Sequence, residues 1–94
     1  MSDESFFSWD PKKAIAHLKK HGVGFAEAIT CFADPLARTA ADPDHSANEE
    51  RFLLIGLSNR TRLLVVAHRE IGNEIRIINA RLATRAERHG YEEG

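Results

Sequence analysis

Apolar positions along the chain follow two periods. Over Glu74-Ile75-Arg76-Ile77-Ile78-Asn79-Ala80-Arg81 they are largely β-branched and spaced as in a strand, which suits a pleated, half-buried surface. Strict alternation puts Ile75, Ile77 and Asn79 on one face and Glu74, Arg76, Ile78 and Ala80 on the other. Arg51 to Ser58 and Arg62 to Arg69 are two further apolar runs, joined by Asn59-Arg60-Thr61, and read as an antiparallel hairpin. Glu70-Ile71-Gly72-Asn73 turns the second run into the third. All three are apolar on both faces, so the sheet is expected to be covered on both sides over part of its area.

Before this hairpin the period becomes helical. Asp10-Pro11 is a helix start, with aspartate at the cap and proline at the first position. Trp9 stands before the cap, placed to pack on Ala14. Ala14, Ile15 and Leu18 share one face of a helix over 11–21, and Lys13, His17 and Lys20 share roughly the opposite one. Gly22 is its left-handed stop. Phe25, Ala28, Ile29 and Phe32 then mark a second amphipathic helix over 25–33, closed by Asp34-Pro35. Phe6 to Trp9 and Leu36 to Ala40 read as short strands, and residues 41–48 as a polar loop. Thr84-x-x-Glu87 is a capping box that starts a helix over 84–92. The order is β-α-α-β-β-β-β-α. That is a small single α+β domain over 1–94: an antiparallel β-sheet meander with two N-terminal helices and one C-terminal helix.

Composition narrows the class. A chain of 94 residues with 43% hydrophobic and 29% charged residues supports one modest core. Its apolar runs are too short to span a bilayer, and Met1-Ser2-Asp3-Glu4-Ser5 lacks the basic start of a secretory signal. A single Cys31 excludes an internal disulfide. A cytoplasmic protein with no membrane contact is expected. The net charge of −1 argues against bulk attraction to nucleic acid, but the charges are segregated. Residues 11–22 hold Lys12, Lys13, Lys19 and Lys20 and no acid, and residues 60–89 hold seven arginines against three glutamates. Folded together, these segments either make one basic patch or pair off with the acids and leave none.

Candidate chemistry follows from that layout. Arg76 is an ionised side chain in the middle of an apolar strand, and a guanidinium cannot lose its proton to escape burial. With Arg81 at the strand's end it is placed to clamp a phosphate. The plain alternative pairs Arg76 with Glu74 or another carboxylate and leaves Arg81 in solvent. Lys13, His17 and Lys20 form either a phosphate-tracking surface or a solvated helix face. Trp9 and Tyr91 either stack on bases or pack the helices. Glu49-Glu50-Arg51 opens a strand with two carboxylates, commonly a weak surface pair. His17 and His21 stand four apart, with Cys31 and His45 elsewhere, but the lysines around them and the lack of a CxxC or HExxH motif argue against a metal site. Neither a nucleophilic triad nor a glycine-rich phosphate loop is present.

An ordered set of short motifs resembles the BrnT toxins. It runs Phe7-x-Trp9-Asp10-Pro11-x-Lys13, Lys20-His21-Gly22-Val23-x-Phe25-x-x-Ala28 and Phe32-x-Asp34-Pro35. It continues with Asp42-Pro43-Asp44-His45-Ser46, Glu49-Glu50-Arg51-Phe52 and Leu64-Val65-Val66. It ends with Ile75-Arg76-Ile77-Ile78-x-Ala80-Arg81 and Ala83-Thr84-x-x-Glu87-x-x-x-Tyr91. The resemblance covers residues 7 to 93 without a gap. It implies a RelE-like fold and a growth-arresting ribonuclease of a type II toxin–antitoxin pair. It also implies a BrnA-like ribbon-helix-helix antitoxin, with promoter DNA bound only through the antitoxin complex. Three positions depart from the family pattern: His17 stands where asparagine is usual, Ile71 where arginine is usual, and Asn79 where serine is common.

A metal-independent ribonuclease of this kind needs a base for the ribose 2′-OH, cations for the strained phosphate and an acid for the leaving oxygen. Under the resemblance, Arg76 and Arg81 are the expected phosphate-stabilising groups. His21, Glu50 and Lys13 are the candidate proton carriers, unranked. Lys12, Lys20, His17 and Arg69 are the expected RNA contacts, and no cofactor is expected. The competing reading is a non-catalytic or weakly active module that binds RNA or the antitoxin through the same basic surface.

Overall fold

The computed structural model describes residues 6–44 and 50–94. The acidic residues 1–5, His45 and Glu49 lie outside the described residues. The elements are β1 (Phe6–Ser8), α1 (Pro11–His21), α2 (Phe25–Thr30) continuing into a 3₁₀ turn (Cys31–Ala33), β2 (Arg38–Ala41), β3 (Arg51–Leu57), β4 (Leu63–Ile71), β5 (Glu74–Leu82) and α3 (Arg85–Glu93). This is the expected order. The second helix tightens to 3₁₀ over its last three residues, ahead of Asp34-Pro35.

Local chemistry explains the boundaries. The Asp10 carboxylate accepts from the Lys12 N–H at 2.9 Å, and Gly22 closes α1 with φ 69°, its N–H donating to the Leu18 carbonyl. Thr84 and Glu87 exchange both bonds of the capping box at the start of α3. Gly72, at φ 57°, lets β4 fold straight back as β5.

The five strands lie in the order β1-β5-β4-β3-β2. From β2 to β5 each strand is antiparallel to the next, whereas β1 runs parallel beside β5. The sheet is therefore mixed: the meander carries the chain back to its own beginning, and the Phe6 N–H donates to the Asn73 carbonyl at 2.9 Å.

One sheet face carries the core. Leu54, Leu64, Val66, Ile77 and Ala80 pack there against Val23, Phe25, Ala28 and Cys31 from the helical side. Gly56 allows this approach, since a Cβ there would stand 2.9 Å from the Cys31 carbonyl oxygen. Ile77 and Ala80 both face the core, which strict alternation forbids. The ladder shows why: Ala67 pairs with Asn79 and His68 with Ile77, so Ile78 is an unpaired bulge. The expected grouping of Ala80 with Arg76 is thereby corrected.

α1 also departs from expectation. Ile15 and Leu18, expected on the core side, remain more than half exposed, at 59% and 53%. The helix is rolled so that Ala14 and His17 turn inward, with the His17 ring 5.3 Å from that of Phe25. Partial burial lowers the His17 pKa.

Candidate functional site

The second sheet face is only partly covered. α3 lies across its far end, over a groove of about 460 Å³ floored by Leu53, Ile55 and Val65. Two polar clamps hold α3 there. Glu87 accepts from both arms of the Arg81 guanidinium, Nη1 to Oε1 at 2.8 Å and Nη2 to Oε2 at 2.9 Å. The Tyr91 hydroxyl donates to Asp34, whose carboxylate also accepts from the Leu36 and Leu57 N–H groups. The Arg81 hydrogen bonds bring the Glu87 carboxyl down to about 2, and the Asp34 carboxylate pushes the Tyr91 hydroxyl up to about 12.

The near end of this face is basic. Register places Arg51 opposite Arg69 and Arg69 opposite Arg76, so three arginines line up across β3, β4 and β5. Side chains at paired positions share a face, and neighbouring strands lie about 4.8 Å apart, so the row spans roughly 10 Å. Ser8 of β1 extends it. The first turn of α1 rises beside it. Arg51, Arg69 and Arg76 thus line an open basin of about 210 Å³ together with Asp10, Lys13, Ile77 and Ile78. Four cations and one carboxylate, that of Asp10, thus line the basin.

Arg76 is the β5 end of this row. No hydrogen bond or ion pair joins it to another described residue. Glu74, its suggested partner, instead accepts a short hydrogen bond from the Ser8 hydroxyl. The bulge at Ile78 turns Arg76, Asn79 and Arg81 toward the same face, yet Arg81 is committed to Glu87 and does not line the basin. The expected clamp of Arg76 with Arg81 is replaced by a row of Arg76 with Arg69 and Arg51. Sequence reasoning missed Arg51 in this role; its signal appears only once both hairpin registers are counted.

The other candidate residues divide. Lys13 lines the basin, and Lys20, seven residues on, lies on the same side of α1. Lys12 points about 100° away from Lys13, toward the side of Ile15. His17 and His21 stand ring to ring at 5.2 Å, and neither lines the basin. Glu50 is exposed just before Arg51. Trp9 packs on Phe25 edge-on at 6.4 Å, and Tyr91 anchors α3, so both aromatics have packing roles. Burial pushes the Cys31 thiol up to about 12, which removes it as a ready metal ligand.

A buried carboxylate that the sequence did not signal stands elsewhere. Glu27 of α2 accepts from Arg62 Nε at 3.0 Å and Ser58 Oγ at 2.6 Å, and Arg62 also donates to the Gly22 carbonyl at 3.0 Å. The Arg62 contact, opposed by burial, lowers the Glu27 pKa. This network ties the β3–β4 turn to the elbow between α1 and α2.

Comparisons with known proteins bear on the family and the fold. Residues 9–87 match the family model described as "Ribonuclease toxin, BrnT, of type II toxin-antitoxin system". The fold is similar to the 1.1 Å crystal structure of the Brucella abortus ribonuclease toxin BrnT, with a TM-score of 0.66 and 23% identity. That match covers 84% of this chain and 96% of the other. No curated protein matches the chain.

Proposed function

The chain belongs to the BrnT family of type II toxin–antitoxin ribonucleases, and from that premise we propose that it cleaves RNA without a metal, at the basin around Arg76. A base takes the proton from a ribose 2′-OH, and the 2′-oxygen attacks the adjacent phosphorus. The P–O5′ bond breaks and the leaving 5′-oxygen takes up a proton, leaving a 2′,3′-cyclic phosphate. The arginine row stabilises the extra negative charge on the phosphoryl oxygens. The observation that carries this reading is the register of Arg51, Arg69 and Arg76 beside Lys13.

Lys13 is the proton carrier this placement favours, with Asp10 beside it in the same basin. Lys20 continues the positive surface along α1 for the flanking RNA. Arg81 holds α3 in place and acts on chemistry only through the fold. The partner is a BrnA-like ribbon-helix-helix antitoxin that covers the basin in the cytoplasm, and promoter DNA is contacted through that complex.

The test is cleavage of a short single-stranded RNA and of its 2′-O-methyl counterpart, each with and without EDTA. Cleavage of the first alone, insensitive to EDTA and ending in cyclic phosphate, is expected. Loss of cleavage in EDTA with rescue by magnesium or zinc would overturn the metal-free mechanism. Expression alone should arrest growth, and co-expression of the ribbon-helix-helix protein should relieve it.

A further inference from the structure

The β4–β5 hairpin end of the open face, next to the arginine row, carries three side chains with no part in the core. Phe6 pairs with Glu74, and Glu74 pairs with Ile71, so the three stand side by side on β1, β5 and β4. They share the face of Arg76 and Arg69, two residues farther along the strands, about 7 Å away. Phe6 is 55% exposed and Ile71 50%. The contrast with Phe7 is direct: one residue on, it points to the other face and packs edge-on against Phe32 at 5.0 Å. Phe6 is nonetheless held in place, because its N–H is bonded to the Asn73 carbonyl across the hairpin end.

We propose that Phe6, Glu74 and Ile71 form a slot for one unpaired RNA base, next to the phosphate held by the arginine row. This rests on the RNA-cleaving reading of that row. The two apolar side chains are the walls, separated by two strand spacings, roughly 10 Å between backbones. A flat base stacks against the aromatic wall without regard to its own identity. Glu74 is the floor. A carboxylate only accepts hydrogen bonds, so it selects base edges that donate N–H groups. Guanine offers two adjacent donors on its Watson–Crick edge, N1–H and the N2 amino group, and fits a carboxylate at two points. The Ser8 hydroxyl fixes the carboxylate from the side of the arginine row and leaves it capacity to accept. Charge complementarity names the occupant: an apolar slot beside three cations suits a nucleotide, whose base is flat and whose phosphate is anionic.

The experiment uses the full chain, a pool of short random-sequence RNAs with sequencing of the cut ends, and an RNA of preferred sequence. The wild-type protein should cut next to guanine more often than next to the other bases. Glu74→Gln should flatten that preference, because the amide presents a donor as well as an acceptor. Phe6→Ala should reduce kcat/KM about tenfold, mainly through KM, as loss of one base stack predicts, and Phe6→Trp should restore it. An RNA made abasic at the slot position should be cut equally by wild type and Phe6→Ala. If Phe6→Ala loses the edge strand in a thermal melt, Ile71→Ala reads the opposite wall. Wild-type efficiency and base preference in Phe6→Ala or Ile71→Ala would overturn the slot and leave the arginine row standing. A wild-type protein that neither binds nor cuts RNA would remove both.

Discussion

Arg76 and Arg81 sit on one strand and one face, five residues apart, yet their surroundings give them different work. Arg76 has no bonded partner among the described residues, and Arg69 and Arg51 follow it across the sheet. Removing it breaks no ion pair and relieves a like-charge contact. Arg76→Ala should therefore melt within about 0.5 kcal/mol of wild type, while single-turnover RNA cleavage falls on the order of 10²-fold or more. Arg76→Lys should recover only part, since an ammonium lacks the planar fork that grips two phosphate oxygens. A folded Arg76→Ala variant with wild-type cleavage would move the phosphate site elsewhere. Arg81→Ala should show the reverse pattern: nearly unchanged cleavage and a lower melting temperature. Both partners of the Arg81–Glu87 pair are partly solvated, so the loss is modest, about 1 kcal/mol. The pair also gives this loss a pH signature. Glu87 titrates at about 2, below the ordinary carboxylate value of 4.5, so its contribution to stability is full above roughly pH 4.5. It disappears as pH falls toward 2. The gap in melting temperature between wild type and Arg81→Ala should close over that window. A gap that stays constant from pH 7 to pH 2.5 would mean that Glu87 is not the partner that matters.

At the scale of elements, the bulge at Ile78 decides which residues reach the basin. Without it Ile77 and Ala80 could not both enter the core. Deleting Ile78 tests this. Asn79 would then follow Ile77 in strict alternation, and Ala80 and Arg81 would keep their present faces. The fold should survive with a loss of about 1 kcal/mol, within the range of ordinary single changes, read by circular dichroism and a thermal melt. Deleting Val65, in a regular part of the ladder, should unfold the protein, because one end of β4 would turn inside out. The strands, the helix caps and the turns were legible in the sequence because each rests on local chemistry: Asp10-Pro11, Gly22, Thr84-x-x-Glu87. Lys13, Arg69 and Arg76 were legible as candidates because a charge in an apolar or acid-free stretch stands out. What the sequence hides is pairing between distant segments. The bulge depends on how β4 meets β5, the part of Arg51 on two successive registers, and the parallel placement of β1 on where the meander returns. The roll of α1 is hidden for a similar reason. Its apolar stripe favours Ile15 and Leu18, but the contact with α2 selects Ala14 and His17.

Over the whole molecule, segregation of charge leaves a chain of net charge −1 with a locally basic surface, as the proposed RNA site needs. Acids are consumed in internal brackets: Glu27 by Arg62 and Ser58, Asp34 by Tyr91, Glu87 by Arg81. Lys13, Arg51, Arg69 and Arg76 line the basin on a different part of the surface. Attraction is then local and short in range, about 8–10 Å at physiological salt. A type II antitoxin that covers the basin would meet the same field, so RNA and antitoxin should compete. The size of the field is measurable through salt. Each phosphate neutralised on a single strand contributes about −0.7 to the slope of log K against log salt. Between two and four basin cations should therefore give a slope of roughly −1.4 to −2.8 for a non-cleavable 2′-O-methyl RNA. Arg76→Ala should make that slope shallower by about 0.7, because one phosphate contact is removed. Phe6→Ala should weaken binding at every salt concentration and leave the slope unchanged, because a stacked base releases no counterion. Fluorescence anisotropy of one labelled RNA from 50 to 300 mM salt is expected to separate the two variants. A slope that Arg76→Ala does not change would show that RNA binds this protein on another surface.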